Sequence, residues 1–315
     1  MRKVTGRNAA MCLGALVAAV LVVRGIAADS GEHWEQAEEG TGFERDGEIK
    51  EDFSGTLLLA GSSSMEEPVN TMAESFMEKY PDVTVLVQFT GSSAGIEAVL
   101  AGSADIGNAS RYLTEDEMAQ GAVENLIGLD GIAICVDGDN PVSNLTGKQL
   151  QDIYAGKIRN WSELGGEDIP VVVLGREAGS GTRKAFEEYL GLEDACTYGN
   201  ELDSAGAVLA RISATPGAIG YVSLAAAGNR HGNGANFPEE KGSSGSVRIL
   251  SLDGIYPSRE QVRKGSYPLY QPFLMVTKGE ISAGNRLVQA WFTYVYSEAG
   301  REALEHAGSI GYRGA

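Results

Sequence analysis

The sequence predicts an α/β fold with mainly parallel sheets, because an apolar run, a short Gly- and Ser-rich loop and an amphipathic helical pattern follow one another three times. The first unit runs from Leu57 to Ala60 through Gly61-Ser62-Ser63-Ser64-Met65 to Val69, Met72, Ala73, Phe76, Met77 and Tyr80, which recur at helical spacing with Pro68 in the first turn. In the second, Val83, Val85, Val87 and Phe89 alternate with Thr84, Leu86 and Gln88 as a strand should, and Gly91-Ser92-Ser93-Ala94-Gly95 opens a short helix bearing Ile96, Val99 and Leu100. The third begins at Pro170 to Leu174, passes through Gly175 to Thr182 and enters a helix with Phe186, Tyr189 and Leu190 on one face. Between the second and third, Thr146 caps a helix carrying Leu150, Ile153 and Tyr154. The apolar run Ile132 to Val136 reads as a strand that buries Cys135 as a free thiol, and Leu287, Val288, Trp291, Phe292 and Val295 predict a sheet-packed helix near residues 285–298.

A chain of 315 residues with 43% hydrophobic content is long enough for two domains, each with its own core. Its first 24 residues carry only positive charges, Arg2, Lys3, Arg7 and Arg24, around the apolar stretch Met11 to Val23. That pattern, followed by Gly25-Ile26-Ala27, predicts a secretion signal over residues 1–27; the alternative is an uncleaved anchor, because Arg24 lies between the apolar stretch and the cleavage signature. Its removal leaves 21 basic against 43 acidic residues, a net charge of −22, which excludes nucleic acid as a partner. Residues 28–52 hold ten acids and two bases without useful periodicity and read as a flexible, solvated tether.

The three loops suggest what the fold presents. A dehydrated tetrahedral oxyanion needs several donors per oxygen. Helix N-termini offer free N–H groups and a positive dipole end, Ser and Thr add hydroxyls, and Gly lets the backbone approach. Each loop alone reads as well as an ordinary N-cap. The third is more specific, because Arg176 four residues before Ser180-Gly181-Thr182 sets a fixed cation beside a nest of donors, the competing reading being a surface ion pair with Glu177 or another acid.

With these residues in view, the chain from about residue 54 onward resembles the phosphate-binding receptors of phosphate ABC importers. The resemblance is carried by Gly61 to Met65, Gly91 to Ile96, Ala104-Asp105-Ile106-Gly107-Asn108-Ala109-Ser110-Arg111, Asp152 to Ile158 before Trp161, and Arg176 through Arg183. It implies a two-lobed, type II periplasmic-binding-protein fold in which each lobe is a mainly parallel sheet flanked by helices, joined by a two-crossing hinge. Lobe 1 would be residues 53–135 plus 268–315, and lobe 2 residues 136–267. It also implies ligand contacts from Ser64, the N–H of Met65, Ser92, Ser110, Arg176, Ser180, Gly181 and Thr182. Some relatives carry Asp where this chain has Ser110; that Asp accepts the proton of phosphate and repels sulfate, whereas Ser110 can accept but has no charge. Arg111 is open between adding charge at the cleft and a structural ion pair, and Asp105 reads as a loop-ordering carboxylate. The implied role is that of a monomeric extracytoplasmic receptor, without cofactor or metal, whose partners are inorganic phosphate and the importer's permease subunits.

Beside a signalling or adhesion role for the same scaffold, two other readings compete. One is a receptor for a different tetrahedral oxyanion such as sulfate or molybdate. The other is a secreted phosphatase, which the residue inventory disfavours: His33, His231 and His306 share no metal-ligand spacing, and Ser180 lacks the elbow pattern of a nucleophile.

Overall fold

All three strand–loop–helix units form in the computed structural model, which describes residues 53–229 and 246–311. The expected leader and acidic tether, together with His33 and His231, lie outside the described residues. In chain order the first elements are β1 (Gly55–Gly61), α1 (Glu66–Lys79), β2 (Val83–Phe89), α2 (Ser92–Leu100), β3 (Ile106–Ala109), α3 (Glu115–Ala119) and β4 (Ala122–Asp137). There follow β5 (Asn144–Leu145), α4 (Gly147–Tyr154), β6 (Val172–Arg176), α5 (Gly181–Leu190), β7 (Asn200–Leu202), α6 (Ala205–Ser213), β8 (Ala218–Ser223) and α7 (Leu224–Asn229). The last are β9 (Val247–Ile249), β10 (Ser251–Leu252), α8 (Arg259–Arg263), β11 (Tyr270–Lys278), α9 (Arg286–Val295), α10 (Glu298–His306) and β12 (Ile310–Gly311).

The main sheet runs β2-β1-β3-β11-β4-β8-β6-β7, with β12 and β9 also on β4. Pairing is parallel at both flanks, β2-β1-β3 and β8-β6-β7, and antiparallel where β11 and β4 join them. β4 pairs with β11 from Ala122 to Gly131, then with β8 from Ile132 to Val136, so one continuous strand serves both halves of the sheet. The apolar side chains divide accordingly. Leu57, Leu59, Phe76, Phe273 and Trp291 form a core between the β1 flank and helices α1, α9 and α10, and Ile96, Ala109, Leu274 and Val276 fill the α2 side. Around the β6 flank, Tyr154, Trp161, Phe186, Tyr221 and Tyr267 pack on one face, and Leu174, Val208, Ile212 and Val222 under α6 on the other. Two such clusters in each half, with strands shared between the halves, make the two-lobed arrangement.

Local signals account for the element ends. Thr146 and Gln149 close a capping box at α4, as expected from Thr146. Asn285 caps α9, its side chain accepting from the N–H groups of Leu287 and Val288. Asp105 orders its loop: its Oδ2 accepts from the Leu58 N–H at 2.8 Å while its own N–H donates to the Leu58 carbonyl at 2.9 Å. Cys135 is a buried free thiol in β4, and Cys196 is free and partly buried. Among the described residues, no helix is long and apolar enough to cross a membrane.

Candidate functional site

Four loops meet where the strand ends of the two halves face one another. After β1, Gly61 adopts a φ of 143°, open to glycine, and a Cβ there would collide with the Asn108 backbone. This close approach brings Ser62 beside the end of β3, where its N–H donates to the Asn108 carbonyl at 2.8 Å. The Ser62 side chain then caps a single 3₁₀ turn, Ser63–Met65, by accepting from the Ser64 N–H. Met65 is fully buried, and its N–H donates to the Ser62 carbonyl at 3.1 Å. After β2, Gly91 precedes Ser92, the first residue of α2. After β3, Ser110 arrives between them: its N–H donates to Ser92 Oγ at 3.1 Å, and its own Oγ lies 2.9 Å from Ser62 Oγ and 3.3 Å from Ser92 Oγ.

The fourth loop comes from the other half. Arg176 ends β6 and Ser180 caps α5 by accepting from the Arg183 N–H at 3.3 Å. The N–H groups of Gly181 and Thr182, first in α5, have no intrahelical acceptor and point outward from its N-terminus. Thr182 Oγ1 lies 2.6 Å from Ser64 Oγ across the interface. Gly181 approaches so closely that a Cβ on it would sit 2.6 Å from both Ser92 Oγ and Ser110 Oγ. The Ser93 N–H donates to the Gly179 carbonyl at 3.1 Å, and Ser223 Oγ to the Ser64 carbonyl at 3.3 Å. Every side chain singled out in the sequence, Ser64, Ser92, Ser110, Arg176, Ser180 and Thr182, is therefore gathered at one buried place.

The Arg176 guanidinium is 1% exposed. Its Nε and Nη2 face the Glu177 carboxylate at 3.1 and 3.0 Å, and Nη2 also donates to Ser63 Oγ at 3.0 Å. So the ion pair with Glu177 forms, but it engages only one edge of the fork. Nη1 is buried and has no hydrogen-bond partner among the described residues. A buried, unpaired cationic donor beside a ring of hydroxyls and two free helical N–H groups is an environment for an anion. Burial pushes the Glu177 carboxyl up, with the neighbouring Arg176 pulling it back down. Arg111 resolves differently. Its Nη1 and Nη2 grip Glu117 at 2.8 and 2.7 Å, and Nη2 reaches Ser93 Oγ at 3.0 Å, so its charge is spent on an ion pair that braces the start of α2. Glu117 loses some stabilisation to burial, yet the Arg111 contact and the Thr114 N–H hold it down to about 2.

Two hydroxyls at the centre escaped the residue-by-residue reading of the sequence. Ser62 and Ser63 lie inside the quoted Gly61-to-Met65 loop, yet only the structure assigns Ser62 to Ser110 and Ser63 to Arg176. Their signal was the run of three consecutive serines before the helix.

Comparisons with known proteins agree with this geometry. Residues 46–299 match the family model described as a PBP superfamily domain. The chain is 35% identical over 253 residues to the phosphate-binding protein PstS of Bacillus subtilis, covering 79% of this chain and 78% of that relative. It superposes, with a TM-score of 0.73 and 34% identity, on a Clostridium perfringens structure with bound phosphate, described as a phosphate ABC transporter substrate-binding protein; 82% of this chain and all of that one are covered. An ABC-type phosphate transport receptor from Vibrio cholerae is 29% identical with a TM-score of 0.63, over 81% of this chain and 100% of its own. The chain thus belongs to the PBP superfamily and, within it, to the family of PstS phosphate-binding proteins.

Proposed function

We propose that this chain is a non-enzymatic receptor that captures inorganic phosphate on the outer side of the cytoplasmic membrane and hands it to the permease subunits of an ABC importer. The observation that carries the reading is the unpartnered Nη1 of Arg176, buried where Ser64, Ser92, Ser110 and Thr182 converge. Relatives and solved neighbours described as phosphate-binding or phosphate-transport proteins support it. In this reading the hydroxyls of Ser64, Ser92, Ser110, Ser180 and Thr182, with the N–H groups of Gly181 and Thr182, replace the water shell of the anion, and Arg176 supplies the fixed charge; the Met65 N–H, which donates to the Ser62 carbonyl, would be shared between that carbonyl and the anion. The lobes assigned to residues 53–135 plus 268–315 and to residues 136–267 would open and close around it, which the separation of the cores supports, with β4 changing partners at Gly131 and Ile132.

Isothermal titration of the dialysed protein with phosphate, arsenate, sulfate and molybdate tests this. One equivalent of phosphate should bind, with arsenate competing through its matching shape and protonation. Absence of heat with phosphate, or tighter binding of sulfate or molybdate, removes the reading. Turnover of a chromogenic phosphate ester removes its non-enzymatic part.

A further inference from the structure

Ser63 occupies a position that the phosphate reading itself does not call upon. Its side chain is buried in the 3₁₀ turn after β1, and its Oγ is the acceptor for two donors from the opposite half: Arg176 Nη2 at 3.0 Å and the N–H of Ala205 at 3.4 Å. Ala205 is the first residue of α6, whose N-cap is Ser204. The Arg176 side chain also meets Glu177, the Leu202 carbonyl at 3.3 Å and the Asp203 carbonyl at 3.3 Å, all from the same half as Arg176. Ser63 is 113 residues away in sequence and brings the guanidinium into register with the first half.

Arg is a planar fork whose edges can be shared among partners. Glu177 chelates the Nε and Nη2 edge from the side, a neutralising contact that exists within one half. The Ser63 contact adds no negative charge. It holds Nη2 from the opposite half and so opposes rotation of the guanidinium plane, leaving Nη1 as the free donor. We propose that Ser63 is a positioning residue: it links approach of the two halves to the orientation of Arg176, so that Nη1 faces the anion only when the first loop has docked. This rests on the phosphate reading above and adds to it how the cation is aimed.

The test is a double-mutant cycle on the full chain, read as the Kd for inorganic phosphate by calorimetry and the dissociation rate by stopped flow. Ser63→Ala should weaken binding about tenfold, the worth of one buried charge-assisted hydrogen bond, and mainly by faster dissociation, since encounter precedes docking. Arg176→Lys keeps a charge but has no fork to orient. In that background Ser63→Ala should change Kd less than twofold. Ser63→Cys, which fills the same space with a weak acceptor, should reproduce the loss and so excludes a cavity as its cause. The proposal is overturned if Ser63→Ala or Ser63→Cys retains wild-type affinity, or if Ser63→Ala costs the same factor in both Arg176 backgrounds. Failure of the wild-type chain to bind phosphate would instead strike the functional reading, so the two failures are distinguishable.

Discussion

The hydroxyls of Ser64 and Thr182 meet at 2.6 Å although 118 residues separate them, one at the end of the first loop and the other in the first turn of α5. Each hydroxyl has a single proton, so one of the two donates to its partner while the other is left to donate elsewhere. Thr182→Val keeps the branched shape and removes one of the two hydroxyls, so the anion would meet Ser64 alone without the partner that orients it. We expect phosphate affinity to fall by about 1.5–3 kcal/mol, roughly ten- to a hundredfold, measured by titration calorimetry. An unchanged Kd would reduce the pair to a structural contact.

Gly181 gives a sharper separation of folding from binding. A Cβ at this position would press on Ser92 Oγ and Ser110 Oγ, both of which belong to the other half, at 2.6 Å. The three atoms nearest to that Cβ all belong to the other half, and within a helix Ala is the better former. Gly181→Ala should therefore leave the melting temperature of the ligand-free protein unchanged or slightly raised, while phosphate no longer raises it. Wild-type stabilisation by phosphate would mean that the halves do not approach this closely when the anion is bound.

On the phosphate reading, removing the Arg176 side chain takes away the cationic contact and leaves the Glu177 carboxylate without its partner near the anion. Arg176→Ala should weaken phosphate binding by about 2–4 kcal/mol. Part of that loss is repulsion from the orphaned carboxylate, so Arg176→Ala with Glu177→Gln should bind more tightly than Arg176→Ala alone. If the double variant is no better, Glu177 contributes nothing electrostatically to the site.

Asp130 offers a prediction about pH. It lies on β4 opposite Gln271 of β11, just where β4 changes partners, and is 1% exposed. Burial pushes its carboxyl from 3.8 up to about 8, against the pull of hydrogen bonds from the Ala225 N–H and the Gln271 side chain. The folded protein thus holds a proton that the unfolded chain has released. The native state is least penalised below about pH 4, and stability falls as pH rises towards 8, by about 4 kcal/mol at pH 7. Asp130→Asn imitates the protonated acid at every pH, so its melting temperature should lose this slope and exceed that of the wild type at pH 8. Parallel melting curves for the two proteins between pH 5 and pH 8 would show that folding does not push the Asp130 carboxyl up.

Much of this was written in the chain in a form that local chemistry can read. Alternating Val83 to Phe89 became β2, the helical spacing from Val69 to Phe76 became the buried face of α1, and each Gly- and Ser-rich loop became the start of a helix. What stayed hidden is long-range. β4 extends over 16 residues, but Glu124, Gly128, Asp130 and Gly131 interrupt its apolar pattern, so only Ile132 to Val136 stood out. Its antiparallel pairing with β11, which carries a bulge between Phe273 and Leu274, has no turn signal because the two strands are far apart in sequence. The same holds for Ser63. A hydroxyl's partner across an interface depends on how two halves meet, and nothing within five residues of it records that. Arg111 was undecided for a related reason, since its partner Glu117 lies in the capped turn of α3 and competes with the cleft for the same guanidinium.

β4 gives residues to each of the four cores among the described residues: Ile127 under α1, Ala122 beneath α2, Ile134 against the aromatic group of the second half and Cys135 below α6. A strand so shared leaves no seam along which one half could melt while the other survives. Heating should produce one calorimetric transition for both halves, and anything that binds between them raises that single temperature.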